Sequence, residues 1–352
     1  MIYLAYVQKY YFNMKKLAII GVCIATMIAC TPTKKSTIDT TLQSKVDSIL
    51  QNKMSEINAI SGQAVVMEVQ TGEIKAMVGN GISQESGLIR TTSLLAALEI
   101  GKVKLSDTID VGEGIYKVHD RELLDHNWRR GGYGKLATLQ GLMVNSHIAT
   151  YKNIERAFET EQAYFDILDK MSYGQPESIV GLDDLKPAYF VTPNDSNWSN
   201  TALAWFSIGY NQRISPIQML TFYNAIANDG KMVKPTLYKG ETEVINHQIA
   251  SKANIDSLQM ALVKVVTEGL GKPAQSDKVQ VAGVSGGSQI STEEDNSEGR
   301  ANTIYSVEYC GYFPANKPKY SIIVSMNKKG LPASGNLMAG SVFKDIVDYM
   351  IK

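Results

Sequence analysis

Cysteine is almost missing from this 352-residue chain, which has three, Cys23, Cys30 and Cys310. With so few, a disulfide framework is excluded even for an oxidising compartment. Histidine is nearly as scarce, at four, and no paired His or Cys spacing occurs, so neither a metal site nor a cofactor is expected. Charge of one sign is lacking too: 35 basic residues balance 35 acidic ones, and nothing points to nucleic acid or a strongly charged partner. No fixed-period repeat, low-complexity tract or Pro/Gly/Ser-rich linker divides the chain. What is present is an ordinary globular composition, 44% hydrophobic and 20% charged, long enough to bury a sizeable core.

The longest apolar run, residues 17–29, is too short to span a membrane as a stable helix. Lys15 and Lys16 precede it, the layout of a secretory signal, and Met14 is expected to be the true start. The run ends in Met27-Ile28-Ala29-Cys30, which resembles the lipobox of bacterial lipoproteins and implies lipidation of Cys30. An uncleaved signal anchor is the alternative. Cleavage before Cys30 would remove three lysines and no acids, leaving a net charge of about −3. The expectation is a domain in the cell envelope, outside the cytoplasm, held to a membrane by lipid on Cys30. Cys310, in an apolar strand-like run, reads as a small core residue.

After a signal over residues 1–29 and a polar tether over 30–41, residues 42–352 read as one domain. Apolar residues at Leu42, Val46, Ile49, Leu50, Met54 and Ile57 predict a helix with one buried stripe. Residues 64–69 and 74–78 predict a β-hairpin and 88–101 a helix. A mainly helical insert is expected over about 106–275. Within it, Ser215-Pro216 opens a helix apolar on nearly every side, so buried, and 254–268 forms another. Strands are expected at 279–282, 303–313 and 320–326, and a closing helix at 341–351. The fold class is α/β in the α+β sense: one antiparallel five-stranded sheet, helices on both faces, and a helical lobe.

Several segments carry a family resemblance. Residues 62–76, Gly-Gln-Ala-Val-Val-Met-Glu-Val-Gln-Thr-Gly-Glu-Ile-Lys-Ala, resemble the opening hairpin of class B penicillin-binding proteins. Residues 207–235 are a long match to the same family. Gly132-Tyr-Gly-Lys135, Val281-Ala-Gly283 and Cys310-Gly-Tyr-Phe-Pro314 follow in the family's order. The resemblance spans about 290 residues and implies the serine β-lactamase/DD-transpeptidase fold.

The same resemblance locates three motifs, and each is altered. The nucleophile motif Ser-x-x-Lys falls on Gly87 and Arg90. Glycine offers no nucleophile, and a protonated arginine cannot accept a proton. The approach to it, residues 79–86, is shorter than in the family. Ser-x-Asn falls on Asn145-Ser146-His147, where His147 could titrate near neutrality or simply pack the lobe. Lys-Thr-Gly falls on Val284-Ser285-Gly286, removing a cation but keeping a hydroxyl and a glycine open to close approach. Gly287 could offer half an oxyanion hole.

Substitute nucleophiles are weakly supported. Ser86 is one residue early and has no usable base in sequence. Ser325-Met-Asn-Lys328 lies on an expected strand end, where the two side chains face oppositely. Gly283-Val-Ser285-Gly-Gly287 spells a hydrolase elbow without the strand–turn–helix that it needs. The resulting expectation is a pseudo-transpeptidase of cell-wall biogenesis that binds peptidoglycan stem peptide or a wall-synthesis protein, with Asn145, Ser285, Gly286 and Gly287 as groove candidates. The alternative is an active D,D-transpeptidase or carboxypeptidase using a non-standard serine. A decaying paralogue without a role is disfavoured, because the core segments remain well patterned.

Overall fold

The structure is a computed structural model that describes residues 34–179, 181–182, 185–290 and 303–351. The expected signal, Cys30 and the acidic stretch 292–298 lie outside these residues. Every helix and strand named here belongs to one compact unit that begins at Thr37.

Five strands form its centre: β1 (Ala59–Glu68), β2 (Ile74–Gly79), β3 (Ala282–Ile290), β4 (Ile304–Phe313) and β5 (Tyr320–Lys329). All pairings are antiparallel, in the order β3-β4-β5-β1-β2, so the first hairpin and the last three strands join through β1 and β5. Alternate side chains face opposite sides of a strand. Here both sides are buried. Ala64, Val66, Ile322, Val324 and Phe313 pack on one face, where the first helix α1 (Thr40–Ile57) and the last helix of the chain, at Gly335–Met350, lie. Val65, Met67, Val284, Cys310 and Ile323 point to the other, into the cluster shared with the inner helices.

The inner helices are α2 (Ile89–Glu99), α3 (Thr138–Met143), α4 (His147–Ala157), α5 (Glu161–Lys170), α6 (Ala202–Ile208), α7 (Pro216–Ala227) and α8 (Lys252–Thr267). The closing helix Gly335–Met350 is α9. Helix α7 is buried at every position, as its apolar character on nearly every side predicts, and its start is fixed by Pro216 and a capping box between Ser215 and Gln218. Ser93 ties α2 to the lobe: its hydroxyl lies 2.7 Å from the Tyr164 hydroxyl and donates to the Ser207 carbonyl at 2.9 Å.

Three boundaries differ from expectation, the simplest being the closing helix, which starts at Gly335 instead of 341, behind a Ser334 cap. The insert is not mainly helical at its start, because residues 108–137 form two short antiparallel pairs, Thr108–Gly112 with Gly134–Ala137 and Ile115–Val118 with Arg121–Leu124. Their alternation, Ile109 and Val111 buried between exposed neighbours, is the two-residue period of a strand with one buried side. They cap α4 and α6 with a small apolar cluster of their own. The strand expected at 279–282 instead begins at Ala282 and runs through Ser285 and the two following glycines, whose scarcity of side chains masks the strand pattern. Cys310 is buried in the core, and burial raises its thiol pKa well above the usual value.

Candidate functional site

Edge strand β3 passes over the N-terminus of α2, and the expected motif positions meet where they touch. Gly286 permits the approach: a Cβ there would lie 2.7 Å from Leu88 Cγ and 2.9 Å from the Leu88 nitrogen. Gly87, at the position expected for the nucleophile, faces the next turn of the same strand. A Cβ on Gly87 would sit 2.6 Å from the Gly287 carbonyl oxygen, 2.9 Å from its nitrogen and 2.7 Å from Arg90 Nη1. The volume a serine side chain would need is therefore occupied by backbone.

Arg90, in the first turn of α2, is buried. Its guanidinium donates to Asn145 Oδ1 at 3.2 Å and, at 3.5 Å each, to the carbonyls of Ser285 and Ile208. Its Nε is buried without a partner. Burial pulls its pKa below the usual arginine range, while the neighbouring Tyr223, Tyr210, Glu308 and Asp125 act the other way.

Asn145 adopts a left-handed conformation (φ 56°) between α3 and α4, a position where asparagine is tolerated. The next residue, Ser146, caps α4 by accepting from the Ala149 N–H at 3.0 Å, and donates to Asp125 Oδ2 at 2.7 Å. That geometry aims the Asn145 amide across the gap to Ser285, donating to its hydroxyl at 2.8 Å and its carbonyl at 3.3 Å. Asn145 and Ser285, expected to line a groove, thus satisfy each other. Gly286 and Gly287 lie against Leu88 and Gly87 and present no open floor.

His147 is half-buried and donates from Nδ1 to the Leu124 carbonyl at 2.9 Å. Burial and the Arg90 charge push its pKa down to about 3, so the imidazole stays neutral instead of titrating near pH 7. Val284 turns its side chain into the apolar cluster beneath the sheet.

The substitute nucleophiles fare differently. Ser325 and Lys328 lie within β5, three residues apart, and the Lys328 ammonium is held by the carbonyls of Gly330 (3.0 Å) and Pro332 (2.9 Å). The segment from Gly283 to Gly287 is all strand and has no elbow. Ser86 donates to Glu308 Oε2 at 2.6 Å, and both residues are 2% exposed. Glu308 also accepts from Ser325 at 3.3 Å. Burial raises its carboxyl to about 7, opposed by Ser86, Ser325 and the Arg90 charge.

The sequence reading missed Glu308 and Asp125. Glu308 had a legible signal: it is an acid inside the run Val307-Glu308-Tyr309-Cys310 whose register faces Gly286 on one side and Ser325 on the other. Asp125 carried none, since its role depends on a chain reversal that brings it to Ser146.

A family model described as the penicillin binding protein transpeptidase domain matches residues 62–348. Among curated proteins, the probable peptidoglycan D,D-transpeptidase PbpC of Pseudomonas aeruginosa is 24% identical over 334 residues, covering 88% of this chain and 57% of its own length. The peptidoglycan D,D-transpeptidase FtsI of Escherichia coli K12 is 22% identical over 327 residues, covering 87% and 53%. The chain thus spans little more than half the length of these relatives. Among solved structures, the apo transpeptidase domain of Burkholderia pseudomallei penicillin-binding protein 3 superposes with a TM-score of 0.77 at 20% identity, covering 91% of this chain and 96% of that one. A Burkholderia ambifaria structure titled as a peptidoglycan glycosyltransferase gives 0.76 at 21%, covering 90% and 96%. These two show a shared fold.

Proposed function

The chain belongs to the penicillin-binding protein transpeptidase family, and from that premise we propose that it serves peptidoglycan biogenesis by binding, without acyl transfer. The observation that carries this reading is Gly87, whose missing side chain is replaced in space by the Gly287 backbone and the Arg90 guanidinium. Acyl transfer by this family's route needs a hydroxyl and an unprotonated base within hydrogen-bond reach, and the motif positions offer a hydrogen atom and a buried guanidinium. A protein of the wall-synthesis machinery suits the molecule better than a stem peptide at these positions. A peptide that adds to a sheet edge needs free backbone groups there, and the Ser285 carbonyl is already taken.

The test is the intact mass of the purified protein after incubation with excess penicillin. The expected result is no covalent adduct on a cooperatively folded chain. One observation favours the second reading, an enzyme using Ser86: its hydroxyl has a carboxylate at 2.6 Å. At 2% exposure neither partner meets solvent, so a substrate would reach them only by parting β3 from α2. An adduct that peptide mapping places on Ser86 would establish that reading and end ours.

The address belongs to the same proposal: an envelope protein outside the cytoplasm, anchored by lipid on Cys30. Cells expressing the chain should incorporate labelled palmitate into it, and Cys30→Ser should abolish the label. Equal labelling of that variant would remove the anchor.

A further inference from the structure

A cavity of 480 Å³ opens away from the motif positions, between the start of β1, residues 82–85 and the short strand pair Tyr189–Phe190 and Gln212–Arg213. Three features distinguish it. Its mouth carries Ile60, Ile82 and Tyr189, which are 59%, 48% and 53% exposed. Leaving three large apolar side chains half in water around one opening has no folding advantage.

Its walls also carry charges of both signs that do not meet. Glu85 and Arg213 both line it and feel each other's field, yet no ion pair joins them among the described residues. Burial raises the Glu85 carboxyl to about 7, with Arg213 and the Asn211 N–H acting only in part against it.

The third feature is two buried acceptors left over. Among the described residues Glu85 Oε2 and Asn327 Oδ1 have no hydrogen-bond partner, and Asn327 is only 5% exposed. The Asn327 amide is held in this orientation because its Nδ2 donates to Gln84 Oε1 at 2.8 Å. Buried polar atoms are normally satisfied, so two orphans just behind this wall leave it short of donors from the protein itself.

We propose that this cavity is a binding site for a free amino acid with an apolar side chain. Its ammonium meets the Glu85 carboxylate on the wall. Its carboxylate meets Arg213, whose planar fork suits that group. Its side chain covers Ile60, Ile82 and Tyr189. A bare amine would leave Arg213 opposing it, and a simple acid would leave Glu85 opposing it, so the pair of charges selects a zwitterion. The cavity volume falls in the range that holds small ligands. The site is separate from the acyl-transfer question, and either could fail without the other.

The experiment is calorimetric titration of the full chain with L- and D-norleucine, N-acetylnorleucine and norleucine methyl ester. At least one norleucine enantiomer is expected to bind saturably, and each capped derivative at least tenfold more weakly. Glu85→Gln and Arg213→Met should each weaken norleucine at least tenfold with no loss of melting temperature, and Ile82→Ser should weaken it several-fold. Should one charge variant fail to fold, the other variant and the capped ligands still decide. No saturable binding of either enantiomer, or equal binding of the capped forms, would overturn the proposal.

Discussion

A chain carrying Gly87→Ser, Arg90→Lys and Val284→Lys, which restores the family's motif residues, is expected to melt about 8 °C below its parent and to gain only trace acylation by penicillin. The cost has two separable sources. Val284 is buried in an apolar cluster, and an ammonium placed there loses its hydration without a built partner, at several kcal/mol. At Gly87 the new Cβ meets backbone at 2.6 and 2.9 Å, an overpacking that typically costs about 1–3 kcal/mol. The Arg90 contact at 2.7 Å is with the end of a flexible side chain and is relieved by the lysine. Together these come to about 5 kcal/mol, enough in a domain of this size for the stated fall. The single variant Arg90→Lys should stay within about 1 kcal/mol, since the guanidinium has no carboxylate pair to lose. The measurement is thermal melting followed by circular dichroism, with penicillin mass spectrometry at a temperature where the variant is folded. Stoichiometric acylation of the triple variant would show that β3 gives way and that the cleft is merely shut.

Glu308→Gln should remove the share of the stability loss that the parent undergoes between about pH 4.5 and 7 through this carboxyl. The sign is set by where the proton sits. In the folded chain the Glu308 carboxyl holds its proton up to about pH 7, whereas unfolded it releases it near 4.5. Between those values Glu308 binds its proton in the folded state and not in the unfolded one, so the stability this group contributes is fully present below about 4.5 and falls as pH rises to 7. The loss is roughly 3 kcal/mol for a buried group with this shift. Glutamine keeps the shape and still accepts from Ser86, so the variant should match the parent near pH 4.5 and exceed it by roughly that amount at pH 8. Glu85, raised to about 7 as well but partly exposed, leaves a smaller residual slope. Urea denaturation at several pH values tests this, and parallel slopes for parent and variant would refute the assignment of the effect to Glu308.

The sheet was legible in the sequence because strands buried on both faces leave unbroken apolar runs, such as residues 64–67, and because helix starts like Ser215-Pro216 carry their own caps. The lobe was less so. Its short strands have two to five residues, too few for a period to dominate over the helices on either side. At the site, the identities at 87, 90, 145, 147, 284 and 285 could be assigned by resemblance, but not what they do to one another. That Asn145 reaches Ser285, or that Gly287 fills the space beside Gly87, depends on distances across segments separated by 140 to 200 residues. Local pattern does not encode such contacts. The neutral imidazole of His147 is a similar case, since it results from burial and from a cation contributed by a different helix.

One further consequence concerns solubility. β3 is the edge of the sheet, and an uncovered edge invites a second chain to pair with it. Here side chains attend to the edge: Arg90 and Asn145 take the Ser285 carbonyl, and the Tyr210 hydroxyl accepts from the Gln289 N–H at 3.4 Å. Between them, the Gly87 backbone lies against Gly287. The residues that stand where a reactive centre would be also act as a guard rail, which lets a long, side-chain-poor strand sit at the margin of the molecule without recruiting a neighbour.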